Sequence, residues 1–171
     1  KITKAENGTI TVEDIPQYGT ATMTVDANAQ LVAEGARILD IGGESTRPGS
    51  QPIGVQEELD RVLPVIDALV ATGTGAILSI DTYKAEVAAA ALEAGAHWVN
   101  DVWGLRADPH LAEIAARHRA PVILMHNRSK PANAELQARL GGRYVGMQYD
   151  DLIDDIRREM MESVTRARQA G

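Results

Sequence analysis

Four short apolar runs in this chain each carry, at or near their end, a side chain able to hydrogen-bond or hold charge. Arg37-Ile-Leu-Asp-Ile41 brings Asp40, Ala76-Ile-Leu-Ser-Ile-Asp81 brings Asp81, His97-Trp-Val-Asn-Asp-Val102 brings Asn100, and Pro121-Val-Ile-Leu-Met125 leads into His126. A carboxylate is a pair of acceptors, an amide both donates and accepts, and an imidazole changes charge near neutral pH. An Asp after an apolar run also commonly caps the following helix. Asp40 is followed by Ile41-Gly-Gly, not by a helix start, so capping explains it poorly. Asp81-Thr82 precedes a helix at once, and there capping and ligand binding both stay open. In Asn100-Asp101 adjacent side chains must point to opposite sides of a strand. Asn100 is the inward choice, because it holds the place in its strand that Asp81 holds in its own; Asp101 is left to pack or cap. His126 at a strand end is a functional candidate, whereas His110 and His118 fall within a helix. No second His stands at ligand spacing, so no metal ligand is assigned.

The densest chemical segment is Gly42-Gly-Glu-Ser-Thr-Arg-Pro-Gly49. Its glycines allow close backbone approach, Ser45 and Thr46 offer hydroxyls, and Arg47 presents a fork suited to phosphate or carboxylate. It lacks the Lys and spacing of a nucleotide P-loop and does not fit a dinucleotide fingerprint. By composition it is a candidate anion-binding loop. Of the two Trp residues, Trp103 is the one expected to face the rim, with packing as the commoner role for either.

These groups need elements to position them. Ile2 to Val12 alternates around Asn7-Gly8, the signal of a β-hairpin. Glu13 to Met23, with Pro16 and Gly19, has no clear period and reads as a connection. A short helix is expected over Asp26 to Gly35, then a strand at Arg37–Ile41. A second helix follows near Val55 to Ala71, its apolar residues recurring every three or four positions and Pro64 expected to kink or restart it. The next elements are a strand at Ala76–Asp81, a helix at Lys84–Ala94, and a strand at His97–Val102. A helix from Asp108 to Arg117 has Asp108 as cap and Pro109 in its first turn. A strand at Pro121–Met125 and a polar loop with Lys130-Pro131 and Gly141-Gly142 lead to a long helix over Tyr149–Gln169. Strands alternating with helices mean βαβ units and a parallel sheet, whose ligands sit at the carboxyl ends of the strands.

Seventeen Lys and Arg against 24 Asp and Glu leave a formal charge of −7 on 171 residues. With no basic run, nucleic acid is not an expected partner. With 44% hydrophobic and 24% charged residues, the composition is that of a soluble globular domain. The absence of Cys excludes a disulfide scaffold, a thiolate metal site and a Cys nucleophile. No apolar run approaches the roughly 20 residues of a membrane span, and no leader is read at the start, so no membrane partner and a cytoplasmic location are expected.

Leu39-Asp-Ile-Gly-Gly-Glu-Ser-Thr-Arg-Pro-Gly49 resembles the signature of the dihydropteroate synthases, the folate-pathway enzymes that sulfonamides inhibit. Ser79-Ile-Asp-Thr82, Val99-Asn-Asp101 and Val122-Ile-Leu-Met-His126 follow in the family's order. The resemblance implies a (β/α)8 TIM barrel with the pterin in its C-terminal mouth. It also implies condensation of p-aminobenzoate with 6-hydroxymethyl-7,8-dihydropterin pyrophosphate, releasing pyrophosphate with Mg²⁺ assistance and without a protein nucleophile. By the same resemblance Asp40, Asp81 and Asn100 bind the pterin. Thr46 and Arg47 serve catalysis at the p-aminobenzoate and diphosphate end, and His126 lies near the diphosphate. A homodimer or self-association is the expected assembly.

Eight βα units take about 250 residues, so residues 1–171 are expected to hold one incomplete pterin-binding domain, with a hairpin over 1–12 and βα units over 25–171. The family's first loop, of the form Asn-Val-Thr-Pro-Asp-Ser-Phe and concerned with the metal, has no counterpart between Val12 and Val25. Its further pterin-binding Asp, its Ser-Arg-Lys strand and its Arg-x-His segment have none either. Catalysis by an isolated monomer is not expected. The alternatives are a pterin-dependent corrinoid methyltransferase, a non-catalytic pterin-binding module and a purely structural piece.

Overall fold

A computed structural model describes residues 31–46, 51–128 and 148–171 in full, together with the backbone of three strands nearer the start. Those strands are β1 (Ile2–Lys4), β2 (Thr9–Val12) and β3 (Ala21–Thr24), paired antiparallel in the order β1-β2-β3. The expected hairpin is present as the β1–β2 pair, with Ile2 opposite Val12; its Asn7-Gly8 turn lies outside the described residues. The segment read as a connection contains β3, which pairs with β2 so that Ile10 faces Met23. Ala21-Thr-Met-Thr24 has too little apolar contrast to show a period, and pairing with a neighbour decides its conformation.

The main sheet is parallel, with strands β4 (Ile38–Gly42), β5 (Ile77–Asp81), β6 (Trp98–Asp101) and β7 (Val122–Leu124) in sequential order. Helices α1 (Val55–Thr72), α2 (Ala85–Glu93), α3 (Leu111–His118) and α4 (Leu152–Ala170) complete the chain. Sequential order has no reversal and hence no topological switch point; this is the order of a barrel wall, not of a doubly wound sheet. Residues 31–33 form a helical turn where the first helix is expected, and residues 25–30 lie outside the description, as does the polar loop over 129–147.

Period decides which side of each strand meets the helices. Leu39 and Ile41, Leu78 and Ile80, and Val99 are buried, packed with Val62, Ile66 and Leu69 of α1, Val87 and Ala91 of α2, and Leu111 and Ala115 of α3. The opposite side of the sheet carries Ile38, Asp40 and Gly42, then Ile77, Ser79 and Asp81, then Trp98 and Asn100, then Ile123, as the strand register requires. Ile38 is 44% exposed and Ile123 40%, so this face is open among the described residues.

Helix α1 continues through Pro64 as one helix, so of the expected kink or restart the restart does not occur. Proline removes the bond to the carbonyl four residues back; that carbonyl belongs to Asp60, on the exposed side of the helix, where water can replace the lost donor. The helix ends at Gly73 in the left-handed conformation, φ +60°, its N–H returning to the Val70 carbonyl.

Candidate functional site

The open face gathers the three residues singled out for pterin. Register places Asp40 beside Ser79, Gly42 beside Asp81, and Asp81 beside Asn100. Asn100 donates from Nδ2 to Asp40 Oδ2 at 2.8 Å, spanning the intervening strand. A Cβ at Gly42 would lie 3.4 Å from both the Cβ and Oδ2 of Asp81, so the glycine leaves space beside that carboxylate.

Asp81 does not cap α2. The amide of Lys84 donates to the Thr82 hydroxyl at 3.2 Å, and that of Ala85 to Asp108 Oδ2 at 2.8 Å. Asp81 is thus left to the sheet face, and burial, followed by the negative charges of Asp40, Glu58 and Asp101, raises its pKa to about 7. Near neutral pH it exchanges a proton readily, and as a carboxylate it offers two acceptors to a planar donor edge.

Asp101 takes the other side of β6, as alternation requires. Fully buried, it accepts from the amides of Trp103 at 2.8 Å and Leu105 at 2.6 Å, and burial raises its pKa despite those bonds. Gly104 and Leu105 both have positive φ, +60° and +61°, so the chain turns sharply after β6. The turn tucks Trp103 into a buried position, edge-on to Tyr83 with ring centroids 6.4 Å apart. Trp103 was the expected rim aromatic; the register puts Trp98 on the open face instead.

The glycine-rich loop leaves β4 over α1. A Cβ at Gly43 would sit 2.8 Å from Glu58 Cγ and 3.0 Å from Val62 Cγ1, so the second glycine of the pair is what lets the helix approach. Glu44 turns inward to Tyr83 and Lys84, and Lys84 also pairs with the buried Glu58 of α1. That cluster was missed in the sequence, where its members stand up to forty residues apart; the only local hint was an acidic residue inside a loop of small ones. Thr46 is exposed at the end of the described part of the loop, and Arg47 lies outside the described residues.

His126 is one residue out of phase with the open face. Asp101 pairs with Leu124, and the Met125 amide donates to the Asp101 carbonyl at 3.3 Å. Alternation therefore gives the open face to Met125, 44% exposed, and turns His126 toward α4. There His126 Nε2 lies 2.8 Å from Glu159 Oε2. Arg128 donates from Nε to the same carboxylate at 2.9 Å and from Nη2 to Asp155 at 2.9 Å, its guanidinium 3.9 Å from the Tyr149 ring centroid. These bonds hold the pKa values of Glu159 and Asp155 below the usual carboxylate range. The structure therefore brings Asp40, Asp81 and Asn100 together and leaves His126 in a separate ion cluster.

No described residues form a group of three or more His, Cys, Asp or Glu able to hold a metal ion.

A family model for pterin binding enzymes matches residues 14–171. The dihydropteroate synthase of Bacillus subtilis is 42% identical over 142 residues, 83% of this chain and 44% of its own length. Among solved structures, Xanthomonas albilineans dihydropteroate synthase with 4-aminobenzoic acid aligns at a TM-score of 0.70 and 42% identity, over 85% of this chain and 47% of its own. The Burkholderia cenocepacia dihydropteroate synthase complexed with 7,8-dihydropteroate aligns at 0.73 and 37%, over 86% and 49%. The chain spans about half the length of the curated relatives it matches, and its four parallel strands are part of a (β/α)8 barrel. On the strength of a family match that runs from residue 14 through every strand of the open face, this chain belongs to the pterin-binding enzymes.

Proposed function

We propose that this chain serves dihydropteroate synthesis in the folate pathway and holds the pterin of that transferase reaction. The observation that carries the reading is the convergence of Asp40, Asp81 and Asn100 on one open sheet face. The similarity to synthases solved with 4-aminobenzoic acid and with 7,8-dihydropteroate supports it. Asp81, as a carboxylate, accepts from the N–H and amino groups of the pterin's pyrimidine edge, and Asn100 supplies a donor and an acceptor beside it. In the reaction the bond from the pterin methylene to the diphosphate oxygen breaks. The p-aminobenzoate nitrogen forms the new C–N bond and loses one proton, and pyrophosphate leaves. Such a substitution needs positioning and charge stabilisation, not a protein nucleophile.

Thr46 and Arg47 are assigned to the p-aminobenzoate and diphosphate end, where a hydroxyl and a guanidinium suit an anionic leaving group. His126 is assigned to the diphosphate side. Mg²⁺ is proposed to come with the diphosphate, since Mg²⁺ is commonly bound through substrate phosphates and water with few protein ligands. A cytoplasmic location, sensitivity to sulfonamides and self-association through the open sheet belong to the same reading.

The test is titration of the folded chain with 6-hydroxymethylpterin, followed by fluorescence, beside an assay of p-aminobenzoate-dependent pyrophosphate release with Mg²⁺. Binding should weaken about 10- to 100-fold in Asp81→Ala, the range for losing hydrogen bonds to a charged group. A folded chain that binds no pterin, or binds it equally well without Asp81, overturns the proposal. Pterin binding without pyrophosphate release would favour the reading of a binding module.

A further inference from the structure

Glu44 lies two residues beyond β4, its side chain 8% exposed and engaged on three sides. Oε1 accepts from the Tyr83 hydroxyl at 3.0 Å. Oε2 accepts from the Lys84 ammonium at 2.5 Å and from the Ile53 amide at 3.3 Å. Lys84 in turn pairs with Glu58 of α1, and Arg61 of α1 donates to the Gly43 carbonyl at 2.8 Å. The Ile53 bond is the informative one. It joins the two ends of the segment between residues 44 and 53, which includes Thr46. One carboxylate thus closes that segment at its neck and ties the neck to the residues that open α2. A short polar side chain could close a loop locally, but it would not reach Tyr83 and Lys84. A buried carboxylate with one cation shared between two acids is costly unless its hydrogen bonds are well satisfied, and here each oxygen of Glu44 has a donor.

We infer that Glu44 is a positioning residue for the loop that carries Thr46: it sets the direction in which the loop leaves the sheet and so controls binding of the amine substrate rather than the pterin. The ligand part of this inference rests on the function proposed above; the closure of the loop does not.

The experiment uses the full chain, labelled with ¹⁵N, and the variants Glu44→Ala and Glu44→Gln. In Glu44→Ala, hydrogen exchange at the Ile53 amide should quicken at least tenfold while β5 amides keep their protection. Lys84 retains Glu58, so no lone cation is left buried. Glu44→Gln keeps a carbonyl acceptor for Ile53, and its NH₂ can donate to the Tyr83 oxygen, so it should restore most of the protection. Affinity for p-aminobenzoate, measured with pyrophosphate and 6-hydroxymethylpterin present, should fall at least tenfold in Glu44→Ala. Affinity for 6-hydroxymethylpterin alone should stay within twofold. Unchanged Ile53 exchange, loss of β5 protection as well, or equal weakening of both ligands would overturn the inference. If the unaltered chain binds p-aminobenzoate not at all, the functional reading fails, and the exchange data decide the loop closure by themselves.

Discussion

Asp81 shows how much a single side chain's surroundings matter. Its pKa of about 7 arises first from burial and then from neighbouring carboxylates, so the folded chain holds a proton that the unfolded chain releases near pH 4. Folding is therefore favoured at low pH by this group, and the advantage disappears as pH rises to about 7. Because Asp81 is partly open to solvent, the urea-derived stability should fall by roughly 1–2 kcal/mol between pH 5 and pH 8 from this source. Asp81→Asn should remove that part of the slope; an unaltered slope would place the proton elsewhere. Pterin affinity should rise toward pH 7 and then level off, because the acceptor form is the ionised one. Gly43 is a steric case. Its missing Cβ leaves room for Glu58 and Val62 of α1, one of the close atoms, at 3.2 Å, being the Glu58 backbone carbonyl, which cannot rotate away. Gly43→Ala should destabilise by about 1–3 kcal/mol, read from urea unfolding, and no loss would mean α1 shifts freely.

At the scale of elements, helix starts are linked through side chains from elsewhere in the chain. Asp108 accepts from the His110 amide at 2.9 Å in the turn entering α3, and its other oxygen accepts from Ala85 at the start of α2. The Asp108-Pro109 pair was legible as a helix start, although α3 itself begins at Leu111; its service to α2 was not, because that bond spans 23 residues. Asp108→Ala should therefore cost about 2 kcal/mol, the upper end for a single cap, in an equilibrium unfolding experiment. A cost near 0.5 kcal/mol would show that water replaces one of the bonds. Strand ends tell the same story. Asn100 inward and Asp101 outward followed from alternation together with the matching place of Asp81 in its own strand. His126 did not, because a three-residue strand with apolar residues on both sides hides its phase until pairing with β6 is known.

Besides the antiparallel β1-β2-β3 sheet, the main parallel sheet has helices on one face and, among the described residues, an open face on the other. Ile38 and Ile123 lie on that face beside the charged and amide side chains, with Met125 just beyond its last strand. Exposed apolar surface beside parallel strand edges promotes association. Sedimentation velocity at tens of micromolar should show species heavier than the 18.4 kDa monomer, and Ile123→Lys should shift the distribution toward monomer. A monodisperse monomer in both would mean that this surface is covered by another part of the chain.

The alternation of apolar runs with helical periods determined the α/β class, and the polar residues at the ends of those runs determined which side chains were worth watching. Gly42-Gly43 and its hydroxyl-bearing continuation marked the loop. These features are local, so a linear reading reaches them. Tertiary structure decided the rest: the conversion of a weak segment into β3, the burial of Trp103, the turning of His126 toward α4, and the meeting of Glu44 with Lys84 and Glu58. Each of these depends on strand phase or on contacts between residues far apart in the chain, and neither is set until the sheet pairs and the helices pack against it.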